Sequence, residues 1–69
     1  MLYLMRAYTS GDQLWQTHPI SASDDAAARS KAEILFAVMT AEQAALHESP
    51  RLERFRLWQG DQIVWDSGP

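Results

Sequence analysis

The stretch Ser23 to Leu46, SDDAAARSKAEILFAVMTAEQAAL, limits what this chain can fold into more than any other. Eight alanines between Ala26 and Ala45, with Lys, Glu, Gln, Leu and Met among them, give it high helix propensity along its whole length. At about 100° per residue, Ala28, Ala32, Leu35, Met39 and Leu46 fall on one line, which Glu42 interrupts near its C-terminal end. Val38 and Phe36 flank that line on opposite sides, and Ile34, Ala41 and Ala45 lie beyond Val38. The apolar arc therefore covers about 200°, against the roughly 100° that a one-sided surface helix needs. Ala37 and Ala44 make the back small rather than charged. One line belongs to the core. The strip of Ile34, Ala41 and Ala45 then needs either strands that curl far round the helix or a second molecule.

The helix begins at Ser21-Ala22-Ser23-Asp24-Asp25. Ser23 can cap it, or Ser21 can cap it with Asp24 at the third helical position. Both options leave Asp24 and Asp25 in the first turn, where the helix dipole favours negative charge. It ends through His47-Glu48-Ser49-Pro50, because Pro50 disfavours helical Ser49. His47 reads as a solvent-facing residue of the last turn.

The rest of the chain supplies short strands. Met1 to Tyr8 reads as a strand with Tyr3, Met5 and Ala7 towards the helix and Arg6 outward, although Leu2 and Leu4 then also want cover. Ser10-Gly11-Asp12 marks a tight turn in which Gly11 takes a positive φ. The second strand, from Gln13 to Thr17 or a little further, ends near Pro19, which cannot donate to a ladder. Leu52 to Trp58 alternates, Phe55 and Leu57 facing one way and Arg54, Arg56 and Trp58 the other. Gly60-Asp61 as a two-residue loop sets Trp58 opposite Ile63, Leu57 opposite Val64 and Arg56 opposite Trp65. A cation–π pair of Arg56 on Trp65 would then sit on the outer face beside Trp58 and Ile63. Ser67-Gly68-Pro69 reads as a frayed end. The two Gly-Asp-Gln stretches, at Gly11 and Gly60, read as two hairpins using the same turn chemistry. The result is a ββαββ chain of the α+β class: a single domain with one helix packed on a mostly antiparallel four-stranded sheet. Its strand order is left open.

Length and charge narrow the function. Sixty-nine residues make one small domain of marginal stability, and the absence of cysteine rules out disulfides and thiolate metal sites. Oligomerisation is the remaining staple. Hydrophobic residues at 46% are too many for a disordered chain. A net charge of -3 favours a cytoplasmic protein over a general phosphate-backbone binder. The short apolar start, Met1 to Met5, lacks the layout of a signal peptide, and no run approaches a membrane span.

Phe55-Arg56-Leu57-Trp58-Gln59-Gly60-Asp61-Gln62-Ile63-Val64, together with Asp24-Asp25-Ala26-Ala27-Ala28, resembles a type of small bacterial protein of unknown function. Those proteins run strand-strand-helix-strand-strand, begin the helix with Asp-Asp and close with a Leu-Trp-x-Gly-Asp hairpin. The resemblance covers most of the chain in layout and about two dozen residues in motif. It implies the ββαββ fold and a bacterial cytosolic origin, and no activity. A weaker likeness is to antitoxin-type regulatory domains, which usually carry a separate DNA-binding segment.

The candidate chemistry has plain structural readings. Asp24 and Asp25 belong to the helix start, and Glu33 lies elsewhere on that helix. Asp12 and Asp61 are turn residues. Ser10, Thr17 and His18 lack a nucleophile elbow, and the glycines stand too far apart for a phosphate loop. No catalytic residue, metal ligand or cofactor site is assigned. Three tryptophans in so short a chain point instead to an interaction surface, since large rings beside arginine are typical hot spots. The expected surface is Arg54, Arg56, Trp58, Ile63 and Trp65 on the sheet, with Ile34 on the helix. The expected role is a non-catalytic protein-interaction or homodimerisation module, with another protein or a second copy as partner and no membrane. The alternative is single-strand nucleic-acid binding, or an antitoxin-like regulatory role, through Arg51, Arg54, Arg56 and Trp58.

Overall fold

A computed structural model describes residues 1–45 and 51–68. Its elements are β1 (Leu2–Thr9), β2 (Leu14–Ser21), α1 (Asp25–Ala45), β3 (Leu52–Gln59) and β4 (Gln62–Asp66). The four strands make one antiparallel sheet in the order β2-β1-β3-β4. The expected ββαββ architecture is therefore the observed one. The helix links edge strand β2 to β3 on the far side of β1, so β2 and β3 run parallel with β1 antiparallel between them.

The helix start differs from both serine options. Asp24 is the cap: its carboxylate accepts the Ala27 N–H at 2.8 Å, and its carbonyl accepts the Ala28 N–H at 3.0 Å. Neither Ser21 nor Ser23 is needed, because a carboxylate one residue before the first helical position already satisfies an orphan donor. Asp25 accepts instead from the buried Tyr3 hydroxyl at 2.6 Å, which ties the first helical turn to β1. Leu46, His47, Ser49 and Pro50, with the helix end and cap expected there, lie outside the described residues, as does Pro69.

The core lies between α1 and one face of the sheet. Tyr3, Met5 and Ala7 of β1 meet Ile20 of β2, Leu52, Phe55 and Leu57 of β3, and Ala28, Ala32 and Met39 of α1. Leu35, Phe36 and Val64 pack at its margin. Small Ala28 and Ala32 let the helix approach closely over Tyr3 and Met5, and both partners are fully buried. Full burial of a side chain such as Met5 or Leu57 stabilises by about 1.5–3 kcal/mol. Phe36 stacks tilted on Phe55 with ring centroids 5.1 Å apart. Beyond Met39 the line reaches Gln43, which is buried and accepts the Leu52 N–H through Oε1 at 2.7 Å.

One turn and the C-terminal end depart from expectation. In the first hairpin Asp12, not Gly11, holds the positive φ, at 63°. The Thr9 carbonyl accepts from Asp12 N–H and the Gln13 carbonyl accepts from Thr9 N–H, so a type I turn is followed by a left-handed residue. Aspartate tolerates that region among non-glycine residues. The second hairpin is the expected two-residue loop, Gln59 facing Gln62, with Gly60 at φ 63°. Positive φ at the first loop position alone is the type II′ pattern. The two Gly-Asp turns therefore use different chemistry. The C-terminal end is not frayed at Ser67 and Gly68. Ser67 donates its N–H to the Phe55 carbonyl at 3.0 Å and accepts the Phe55 N–H on Oγ at 2.9 Å.

Strand β2 runs through Pro19 instead of stopping before it. Met1 and Ala22 exchange both backbone bonds, so they form a hydrogen-bonded pair. Alternation then makes Tyr3–Ile20 another such pair and Leu4–Pro19 a non-bonded one. The Pro19 nitrogen accordingly points to the free edge, where its missing hydrogen costs the ladder nothing.

Candidate functional site

Among the described residues, the face of the sheet opposite α1 carries no second layer. Its middle is set by the register of β1 with β3: Leu4 faces Trp58, Arg6 faces Arg56, and Tyr8 faces Arg54. Ile63 of β4 faces Trp58 from the other side, and Asp66 faces Arg56. Three guanidinium groups and two rings thus share one surface. Alternation in β1 and β3 sends Tyr3, Met5, Ala7, Phe55 and Leu57 to the core, so their neighbours must point here.

The groups pair in an ordered way. Arg54 is ion-paired with Asp12 of the first hairpin turn, and Arg56 with Asp66 at 3.2 Å. Both guanidinium groups also lie near the Tyr8 ring, Arg56 at 5.0 Å and Arg54 at 5.8 Å from its centroid. Arg6 lies over the Trp58 ring at 4.8 Å. These are cation–π distances, each contributing about 0.5–1 kcal/mol where solvent is near. No carboxylate among the described residues pairs with Arg6. The Nε atoms of Arg6 and Arg54 and the Trp58 Nε1 are buried without an acceptor. The Gly68 N–H, then the Arg56 guanidinium, hold the Asp66 carboxyl below its ordinary range. The Asp66 carboxylate in turn keeps Arg56 firmly protonated. Gly68 is close-packed on Arg54, since a Cβ there would collide with the Arg54 side chain.

The expected surface residues divide between three places. Arg54, Arg56, Trp58 and Ile63 do share the outer face. Trp65 does not. A bulge between Leu57 and Trp58 in the pairing with β4 makes Val64 the extra residue, so Trp65 faces Leu57 and Asp66 faces Arg56. Trp65 consequently packs at the core margin, where Arg29 of α1 lies 3.6 Å from its ring centroid. The pair expected between Arg56 and Trp65 is replaced by Arg29 on Trp65. Arg51 is exposed at the start of β3, where its carbonyl accepts from Ser10. Glu53 is the extra residue of a second bulge, outside the row.

Ile34 lies on the opposite side of the molecule from that face. The Lys31 ammonium donates to the Ser21 carbonyl at 2.6 Å, and Arg29 covers Trp65, so α1 turns its Lys31 side to β2 and its Arg29 side to β4. Ile34, Val38, Ala41 and Ala45 follow Lys31 round the helix on the β2 side. All four are exposed, Ile34 at 67% and Val38 at 48% of full accessibility. Beneath them β2 offers only Gln16 and His18, which bond each other at 2.9 Å. The strands do not curl round the helix to cover the strip.

Two polar contacts lie within α1 itself. Arg29 pairs with Glu33 at 2.8 Å, and the Thr40 hydroxyl donates to the Phe36 carbonyl. No group of three or more His, Asp or Glu side chains suited to a metal ion lies together among the described residues. No described helix is long and apolar enough to cross a membrane.

The expected surface lacks the β1 members of the outer face, Leu4, Arg6 and Tyr8. Alternation already sends Arg6 outward. What the sequence lacks is the adjacency of β1 and β3, which turns two separate arginine strands into one row. No family model, curated protein or solved structure matches the chain.

Proposed function

We propose that this chain is a non-catalytic protein-interaction module that pairs with a second copy of itself through the exposed flank of α1. The observation that carries this reading is the uncovered strip itself: Ile34 and Val38 are exposed on a helix whose adjoining line, Ala28, Ala32 and Met39, is buried. Two large and two small residues alternate in pairs along it, Ile34 and Val38 before Ala41 and Ala45. A two-fold axis between Val38 and Ala41 sets Ile34 against the partner's end of the strip, large against small. A chain of 69 residues without cysteine gains stability by mass action from such pairing. Pairing through the sheet edges is disfavoured, because Pro19 withdraws a donor from the β2 edge and a bulge breaks the short β4.

Sedimentation velocity from micromolar to millimolar protein tests this. Wild type is expected to shift from monomer to dimer, with a melting temperature that rises with concentration. Ile34→Glu and Val38→Glu are expected to stay monomeric and to keep the wild-type melt at low concentration, since exposed substitutions change stability by only about 0.5 kcal/mol. A clean wild-type monomer at millimolar concentration removes the proposal.

A further inference from the structure

We infer that the outer face of the sheet is a binding platform for single-stranded nucleic acid, with Arg6 as the group that receives a phosphate and presents a plane for a base. This goes beyond self-association and does not depend on it, since the α1 flank lies on the other side of the sheet. Three observations lead there. The first is charge. Arg54 and Arg56 are matched by Asp12 and Asp66, and Arg6 is matched by no carboxylate among the described residues, so the described row keeps one net positive charge within an acidic chain. The second is the surplus of donors. Arg6 Nε, Arg54 Nε and Trp58 Nε1 have no acceptor, and every unsatisfied group on this face is a donor. These three atoms are themselves shielded from solvent, so an acceptor-rich partner meets the same donor-only character at the outer nitrogens of the Arg6 guanidinium. The third is shape. Arg6 lies over the Trp58 ring and Arg56 over the Tyr8 ring, each within cation–π distance. Bases stack on aromatic rings and on arginine planes alike, and every base has such a face.

An acidic peptide is the rival occupant, and the geometry favours it less. A peptide adding as a strand needs an open edge, and Pro19 and the β4 bulge spoil both edges. A peptide lying across the face would have to bring carboxylates to a row in which Asp12 and Asp66 already pair with two of the three guanidinium groups.

The test is fluorescence anisotropy of end-labelled oligothymidylate and oligoadenylate, each about a dozen nucleotides long, titrated with the full chain at low salt. Saturable binding is expected, with a shallow salt slope of about -0.7 to -1.4 in log K against log salt, as one or two phosphate contacts give on single strands. Arg6→Gln is expected to weaken binding roughly tenfold, while its circular-dichroism melt stays close to wild type. Asp66→Asn and Asp12→Asn are expected to strengthen binding several-fold, because each frees a guanidinium. Asparagine keeps an acceptor for the Gly68 N–H and tolerates the left-handed position 12. Tightening by these variants is a result that mere loss of structure cannot imitate. No binding at low salt, an Arg6→Gln variant that binds as wild type does, or a glutamate-rich peptide of the same length that binds as tightly would each overturn the inference. Sedimentation of the protein alone reads the self-association separately, so the failure of one leaves the other standing.

Discussion

Replacing Gln43 with methionine probes how the end of the helix is joined to the sheet. The Gln43 side chain is buried, and its Oε1 accepts the Leu52 N–H at 2.7 Å in a buried position at the start of β3. Methionine is unbranched and close to glutamine in length, so it preserves volume and removes the acceptor. The Leu52 N–H is then left without its partner, which costs about 1–3 kcal/mol. The whole fold is expected to hold roughly 3–10 kcal/mol at 0.05–0.15 kcal/mol per residue. The loss is therefore a large share of the total. A loss of about 2 kcal/mol lowers the melting temperature by roughly 8–16 °C in a domain of this size. Urea unfolding followed at 222 nm measures it, with an unchanged m-value showing that the native surface is the same. Hydrogen exchange at the Leu52 amide should quicken at the same time. A methionine variant within about 0.5 kcal/mol of wild type would refute the reasoning, because it would mean that the bond is replaced at no cost.

Further expectations can be checked alongside it. Asp24→Ala should lower stability by about 0.5–2 kcal/mol through loss of the cap, and Ser21→Ala and Ser23→Ala by much less, measured by the same urea titration. The Asp25 carboxylate, then burial, push the Tyr3 hydroxyl up to about 12. A raised folded value favours the neutral hydroxyl in the native state, so its contribution is complete below the unfolded value near 10 and is lost as pH climbs from there towards 12. Tyr3→Phe should flatten that alkaline fall in denaturation midpoint; an equally steep fall would show that other groups cause it. Pro19→Val restores an outward N–H on the β2 edge, so it should leave the fold intact and raise the aggregation rate in a light-scattering assay.

Much of the candidate surface was legible before any tertiary information. Alternation placed Arg54, Arg56 and Trp58 together on the outer face, because a strand with one buried face has a period of two. The same rule failed for Trp65, since the bulge at Val64 advances the strand by one residue and returns the ring to the core side. A bulge leaves no mark in a sequence where both Val64 and Trp65 are apolar. Arg6 was outward by pattern, but no local signal says which strand lies beside which. Gln43 was passed over for a related reason. A polar residue on the helix's apolar side reads as an interruption until the backbone donor it serves, nine residues further on, is seen beside it.

The elements, their order and the width of the helix's apolar arc follow from local signals alone, because propensity, turn residues and periodicity act over a few neighbouring residues. The leftover strip of Ile34, Ala41 and Ala45 was already implied by that arc, and it is exposed because the core takes up only one line of the helix. The order β2-β1-β3-β4 emerges only on folding. That order joins Arg6 to Arg54 and Arg56, turns the Pro19 nitrogen to an open edge, and hands the cap to Asp24 while Asp25 holds Tyr3. Each of these depends on groups far apart in the chain, and the free energy of their meeting exists only once the fold has brought them together.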